Sequence, residues 1–213
     1  MDTLLRRSTG LFREEIRIKL RMILAASMNS DLPGLADTTL SGLKRGDSGA
    51  LETVMGQYQH RLYRFLIRLT QDPAAAEDLF QQTWLRVIEK IGRYDARRQF
   101  TPWLFSVARN LAIDYLRKRR EISLDISPEP GVSPIERLAA AGSDPLERLL
   151  EFERGATLVA AVAKLPVIHR EVLTLRFEED MKLEQIAEIL GVPLSTVKSR
   201  LLRAMESLRG RLQ

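Results

Sequence analysis

The stretch LEQIAEILGVPLSTVKSRLLRAM, Leu183–Met205, has the most distinctive pattern in the chain. Apolar residues recur at helical spacing on both sides of a Gly-Val-Pro break, which predicts two helices joined by a tight turn. Gly191 supplies that turn, and either Pro193 or Ser195 begins the second helix. This order of elements is a helix-turn-helix, a motif whose second helix commonly enters the major groove of DNA.

The second helix of this motif has two faces of different chemistry. The inward face is apolar and consists of Val197, Leu201, Ala204 and Leu208. The outward face combines hydrogen-bond donors with one apolar residue and consists of Ser195, Lys198, Ser199, Leu202 and Arg203. Lys198 or Arg203 can donate to guanine edges, and Leu202 can contact a thymine methyl group. Arg200 and Arg209 are better placed for phosphates. The alternative interpretation is an amphipathic helix whose basic face is only solvated.

The other periodic segments also have helical spacing, and the sequence contains no convincing strand-like alternation. One predicted helix ends before Pro73, and its buried stripe is Tyr58, Leu62, Phe65, Leu66 and Leu69. The next helix is closed by Gly92, and its inner face is Leu79, Thr83, Val87 and Ile91. A third long helix follows, with Pro102 in its first turn.

The pattern predicts an all-α protein with two small helical domains joined by a flexible acidic linker. Its parts are an N-terminal extension over 1–40, a first domain over 41–120, a linker over 121–145 and a second domain over 146–213. The linker is rich in proline and lies in a segment, 121–150, with 6 acidic and 2 basic residues. Basic residues flank it, with 13 against 6 acidic residues over 57–120 and 5 against 1 over 195–213. Two separate basic segments favour a polyanionic partner.

Composition argues against several classes of function. The chain has no Cys and only two His, so disulfides and thiolate metal sites are excluded and zinc chemistry is not favoured. We find no catalytic constellation, and we interpret the acidic triplet Glu178–Asp180 as a solvated loop. No apolar run of about 18 residues and no signal-peptide core is present. We therefore predict a cytoplasmic binding protein that is not an enzyme, has no metal or cofactor and does not insert into a membrane.

The segment RRQFTPWLFSVARNLAIDYLRKRR, residues 97–120, mixes aromatic and basic residues. Aromatic rings can stack on unpaired bases while the cations hold phosphates, which suits single-stranded or melting DNA. For Phe100 and Trp103, a base-stacking role and a core role remain open. Asn110 and Asp114 lie one helical turn apart and either contact base edges or are plain surface residues.

The two halves together resemble the extracytoplasmic-function (ECF, group IV) sigma factors of bacterial RNA polymerase. The matching motifs are GDSGALETVMGQYQHRLYRFLIRLTQDPAAAEDLFQQTW, FTPWLFSVARNLAIDYLRKRR, DPLE, LPVIHREVLTLRF and IAEILGVPLSTVKSRLLRAM. Their order and spacing agree from about Leu43 to the C-terminus. The resemblance implies a noncatalytic subunit that binds core polymerase, melts the promoter −10 element with its first domain and reads the −35 element with its second.

The resemblance also assigns candidate residues to each partner. The implied −10 DNA contacts are Arg98, Phe100, Trp103, Arg109, Asn110, Asp114, Arg117 and Lys118. The implied −35 contacts are Ser195, Thr196, Lys198, Ser199, Arg200, Leu202 and Arg203. The implied contacts with core polymerase are Asp78, Gln81, Gln82 and Arg86. An anti-sigma factor is the other partner that the resemblance implies.

Two departures from the family pattern bear on this assignment. Gln82 stands where the family commonly has Glu. Residues 1–40 have no counterpart in the minimal pattern. Either they form a regulatory helix, or translation begins at Met22 or Met28 and the residues before it are not part of the native protein. Two other functions remain as alternatives at this point, a standalone helix-turn-helix regulator and a sigma-like decoy that binds a regulator rather than a promoter.

Overall fold

The computed structural model describes residues 35–123 and 157–212, and no strand occurs in these two ranges. The chain divides into two compact units. Among the described residues, the N-terminal unit contains 35–123 and 184–193, and the C-terminal unit contains 157–183 and 194–212. The all-α prediction is therefore confirmed, with two units as expected.

Four helices lie within residues 35–123 of the N-terminal unit. They are α1 (Asp37–Lys44), α2 (Ser48–Thr70), α3 (Pro73–Lys90) and α4 (Phe100–Ser123), with a short 3₁₀ turn at Ile91–Arg93. The central helix α2 packs against α1, α3 and α4. Gly42 permits the close approach of α1, because a Cβ at this position would lie 2.9 Å from the Cβ of Ala50.

The predicted inner faces of α2 and α3 form the core of this unit. All nine predicted residues are buried, and Phe65 on α2 packs edge-to-face against Phe105 on α4, with 5.2 Å between ring centroids. The first helix, α1, begins before the predicted domain boundary at residue 41. Its residues Leu40 and Leu43 are also buried. Burial of these apolar stripes is the main force that holds the four helices together.

Local sequence signals set the helix ends. Asp47 caps α2 by accepting hydrogen bonds from the N–H groups of Gly49 and Ala50, and Asp72 caps α3 through Ala75 N–H. The extended backbone at Asp72 before Pro73 agrees with the predicted end of α2. At the other end of α3 the prediction differs, since Gly92 lies inside the 3₁₀ turn and does not act as a left-handed cap.

Residues 157–183 and 194–212 of the C-terminal unit contain three helices and a π-helical turn. They are α5 (described over 157–163), α6 (Val167–Leu173), the turn at Thr174–Glu178 and the last helix, α8 (Leu194–Leu212). Helix α6 packs on α8. Helix α7 (Leu183–Leu190) lies between the π-helical turn and α8 in sequence. Gly191 follows α7 with a φ of +63°, a left-handed value that favours glycine. Thus α8 begins directly after Pro193, between the two predicted starting positions.

The acidic triplet Glu178–Asp180 is not the solvated loop that we predicted. Glu178 and Glu179 are buried, and only Asp180 is exposed. The reason is the wide π-helical turn, in which the N–H of Glu179 donates to the carbonyl of Thr174 at 3.1 Å and the N–H of Met181 donates to that of Leu175 at 3.0 Å. This turn therefore keeps Glu178 and Glu179 buried in the C-terminal unit.

Several predictions lie outside the described residues. They concern the regulatory helix or misplaced start of the N-terminal extension, most of the acidic linker, and the DPLE motif at its end. Within the described residues, no helix combines the length and apolar character needed to cross a bilayer. Over the same two ranges, no three His, Asp or Glu side chains come together as a metal site.

Candidate nucleic-acid and polymerase interfaces

Helix α8 presents the outward face that its sequence predicts. The side chains of Ser195, Lys198, Ser199, Leu202 and Arg203 are all exposed, while Val197, Ala204 and Leu208 are buried and Leu201 is half-buried. The hydroxyl of Ser199 donates to the carbonyl of Thr196 at 2.9 Å, which orients it along the helix. This face is a row of donors around one exposed apolar side chain, suited to base edges in a major groove.

Arg200 is held differently from its neighbours on α8. Its Nη1 lies 3.2 Å from Oε1 of Glu171, a residue of α6 that is 0% exposed, and the Arg200 side chain itself is 22% exposed. A carboxylate that is fully removed from water needs such a partner. The structure therefore assigns Arg200 a packing role in the C-terminal unit that the sequence-based prediction of a phosphate contact did not include.

His169 on α6 adds to the electrostatics of this unit. Its burial, and then the nearby charges of Arg203 and Arg200, lower the pKa of His169 below its usual value. The imidazole is consequently neutral at neutral pH. The positive charge of the α8 face then comes from its lysine and arginine side chains alone.

In the N-terminal unit, the predicted −10 residues lie along one exposed stripe of α4. Asn110, Asp114, Arg117 and Lys118 are exposed, at steps of four, three and one residues. Trp103 is partly exposed and lies about two turns before Asn110. Asp114 and Arg117 form an ion pair at 3.2 Å. Because both of these side chains are largely exposed, the pair contributes little stability and leaves the stripe accessible.

Arg109 and Arg98 occupy the edges of this stripe. Arg109 is half-buried, and its Nη1 donates to Oδ1 of Asn110 at 3.4 Å, whereas Arg98 is exposed in the loop before α4. This loop, Asp95–Gln99, is exposed at every position and is called the 95–99 loop below. The loop and the stripe are both exposed, and the partly exposed indole of Trp103 lies between them in sequence.

Phe100 requires a revision of the predicted contact list. Its side chain is only 5% exposed and packs edge-to-face on Tyr58, with 5.6 Å between centroids, and on Tyr94, with 5.9 Å. The indole of Trp103 covers the same cluster at 5.5 Å from Phe100 and 4.8 Å from Tyr94. A buried ring cannot stack on a base, so we assign Phe100 to the support of Trp103.

Helix α3 carries a third exposed surface, and the sequence analysis missed part of it. The predicted residues Asp78, Gln81, Gln82 and Arg86 are all exposed, and Arg86 pairs with Glu89 at 3.0 Å. Among them stand Leu85 and Ile88, which are 61% and 49% exposed. The signal was present in the sequence, because both residues fall off the apolar stripe of α3 and follow each other at a spacing of three.

Two family descriptions match successive parts of the chain. Sigma-70 region 2 matches residues 54–122, and Sigma-70, region 4 matches residues 156–208. The ECF RNA polymerase sigma factor SigW of Bacillus subtilis (strain 168) is 30% identical over 174 residues, covering 80% of this chain and 93% of SigW. This chain belongs to the ECF RNA polymerase sigma factors.

Other similar proteins agree with this membership. The ECF RNA polymerase sigma factor SigL of Mycobacterium tuberculosis (strain ATCC 35801 / TMC 107 / Erdman) is 34% identical, over 82% of this chain and 95% of SigL. The sigma factor RpoE from Bartonella quintana, solved in complex with the anti-sigma factor NepR, superposes with a TM-score of 0.62 at 26% identity. That match covers 76% of this chain and 95% of RpoE.

Family membership fixes the general activity. This sigma factor is a noncatalytic initiation subunit of RNA polymerase that recognises promoters, and it acts on transcription in the cell interior. The resemblance drawn from the sequence motifs is therefore confirmed.

Proposed function

We propose that this sigma factor reads the −35 element through the exposed face of α8. Lys198 and Arg203 donate to base edges, Ser195, Thr196 and Ser199 add hydroxyl groups, and Leu202 meets a thymine methyl group. The observation that carries this proposal is the separation of the two faces, with donors exposed on one side of α8 and apolar residues buried on the other. Arg200 supports the helix through Glu171.

The −10 element is bound as unpaired strand by the 95–99 loop and the exposed stripe of α4. Trp103 presents a partly exposed aromatic surface on which a base stacks, and Arg98, Arg109, Arg117 and Lys118 lie close enough along the chain to hold the phosphates. Asn110 and Asp114 contact base edges from the same stripe. This division follows the chemistry of single-strand binding, in which rings hold bases and cations follow the backbone.

Core polymerase docks on the outer surface of α3. Leu85 and Ile88 provide the apolar centre of this interface, and Asp78, Gln81, Gln82 and Arg86 provide its polar surroundings. An apolar centre within a polar rim is the usual composition of a protein interface. The sigma factor accordingly acts in the cytoplasm, and an anti-sigma factor is its regulatory partner, as in the complex of RpoE with NepR.

Arg203→Ala tests the −35 assignment. If Arg203 reads a base, the substitution should weaken holoenzyme binding to the preferred promoter by about 1–3 kcal/mol and relax selectivity at one −35 position. The measurement is competitive binding to a promoter library at fixed salt. Arg211→Ala, on an exposed residue near the end of the same helix, is the matched control. An equal loss across all −35 variants would make Arg203 a phosphate contact instead.

The double substitution Leu85→Ser with Ile88→Ser tests the docking surface. Core polymerase binding should weaken by about 10- to 100-fold, because two apolar anchors leave the centre of the interface. The thermal midpoint should hardly change, since both side chains are exposed in the free protein. Leu212→Ser, another exposed apolar position, serves as the control. Unchanged affinity for core polymerase in the double variant would refute this surface.

A further inference from the structure

The 95–99 loop has a defined local shape. The N–H of Arg98 donates to the carbonyl of Asp95 at 3.0 Å, and the N–H of Arg97 donates to the Asp95 carboxylate at 3.0 Å. These two bonds form a compact turn of the type that aspartate favours. They do not by themselves attach the turn to the helices on which it stands, so a second set of contacts must hold the turn in place.

Tyr94 attaches this turn to the helical core. Its phenol donates a hydrogen bond to the carbonyl of Arg98, and its ring is buried against Phe100 and Trp103. Burial is the largest cause that raises the pKa of Tyr94 above its ordinary value, so the phenol keeps its proton at neutral pH and acts as the donor. A single side chain thus links the aromatic cluster to the backbone at the far end of the loop.

Lys44, at the end of α1, contacts both the backbone and the ring of Tyr94. Its Nζ donates to the carbonyl of Tyr94 at 2.8 Å and lies 5.7 Å from the centre of the Tyr94 ring. Both the backbone and the ring of Tyr94 are therefore constrained by α1. After the loop, the hydroxyls of Tyr58 and Thr101 are 2.8 Å apart, which joins the start of α4 to α2.

We propose that Tyr94 and Lys44 are positioning residues for base selection at the −10 element. They hold the Arg98 backbone and the 95–99 loop in the conformation that accepts one base in preference to the other three, although neither residue is assigned to the DNA-contacting stripe. This inference rests on the proposed −10 role of the loop. It extends the recognition machinery to α1 and to a tyrosine outside the predicted contact list.

The test uses reconstituted holoenzyme and promoters randomised at each −10 position. Tyr94→Phe removes only the phenol oxygen, and Lys44→Met removes the cation while keeping an unbranched apolar side chain. Each variant should reduce discrimination between the preferred base and the next best base about three- to tenfold, the effect expected for one lost hydrogen bond. Affinity for core polymerase and selectivity at −35 should stay at the wild-type value.

Two controls separate positioning from a general loss of stability. Tyr63→Phe removes a phenol oxygen from a partly exposed tyrosine on α2, outside the aromatic cluster, and should retain full −10 discrimination. Lys44→Arg keeps a cationic donor and should restore much of the discrimination that Lys44→Met loses. A purely structural role would lower the thermal midpoint and the total activity while leaving the ratio between bases unchanged.

The outcomes distinguish this proposal from the proposed function. If wild-type protein selects −10 bases and both Tyr94→Phe and Lys44→Met keep its selectivity profile, the positioning role is overturned. If selectivity of the wild-type protein does not depend on Arg98 or Trp103, the −10 assignment itself fails. Should Tyr94→Phe not fold, Lys44→Met carries the test alone, because the Lys44 side chain lies at the surface.

Discussion

Replacing Glu171 by alanine should lower the free energy of unfolding of the C-terminal unit by about 2–3 kcal/mol. The fully buried carboxylate of Glu171 pairs with Arg200 at 3.2 Å, and its removal leaves a largely buried guanidinium without this partner. Loss of one member of a buried pair typically costs more than this, but Arg200 retains some access to water and can recover part of its hydration. The measurement is urea unfolding followed by far-ultraviolet circular dichroism.

Two further variants make this prediction specific. Glu206→Ala removes an exposed carboxylate from α8 and should change stability by no more than about 0.5 kcal/mol. Glu171→Leu combined with Arg200→Met removes both charges of the pair and should recover much of the loss, because neither is left buried without the other. If Glu171→Ala unfolds at the wild-type urea concentration, the ion pair does not stabilise the C-terminal unit and Arg200 remains available for phosphates.

Phe65→Ala should destabilise the N-terminal unit by about 3–5 kcal/mol. The Phe65 ring is fully buried on α2 and packs against Phe105 of α4, so its removal creates a cavity between the two helices. Both tryptophans of the chain, Trp84 and Trp103, belong to this unit. Tryptophan fluorescence therefore follows its unfolding selectively, and the fluorescence transition should move to lower urea.

Two controls accompany Phe65→Ala, one at the same position and one at a less buried phenylalanine. Phe65→Leu fills most of the space and should cost no more than about 1.5 kcal/mol. Phe80→Ala, on a partly exposed ring of α3, should cost clearly less than Phe65→Ala. A fluorescence transition that is equally displaced by Phe65→Ala and Phe80→Ala would contradict the assignment of Phe65 to the centre of the core.

The helices and their buried faces could be predicted because each has a strong period. The stripe from Tyr58 to Leu69 and the inner face of α8 are almost fully accounted for by the 3.6-residue repeat. The turn at Gly191 follows equally from local chemistry, since its φ of +63° is one that glycine adopts without strain. Such features depend on residues that are close in sequence, and for that reason they can be predicted from the sequence.

The features that were not predicted depend on contacts between distant parts of the chain. For Phe100 the sequence leaves a core role and a base-stacking role open, and its burial depends on packing by Tyr58 of α2 as well as by the nearby Tyr94. The pairing of Arg200 with Glu171 joins two helices through residues that are 29 positions apart in sequence. A basic residue on a recognition helix looks the same in sequence whether it contacts DNA or a buried carboxylate.

The exposed pair Leu85 and Ile88 shows a different limit. The predicted outer face of α3 contains only its polar residues, whereas the structure adds two exposed apolar residues outside the core stripe. An isolated exposed leucine is common and carries no information, but two neighbouring exposed apolar residues within a polar helix face indicate an interface. Both residues fall outside the predicted inner face of α3, and the packing of this helix on α2 and α4 confirms which face is buried.

The most direct test of the whole account is promoter-dependent initiation by core polymerase reconstituted with this chain. We expect the protein to co-elute with bacterial core RNA polymerase in gel filtration and to direct transcripts from a subset of a promoter library that shares −10 and −35 sequences. Holoenzyme affinity for those promoters should fall steeply as salt rises, because several phosphates are contacted. A folded chain that binds DNA alone but neither joins core polymerase nor directs initiation would contradict the account.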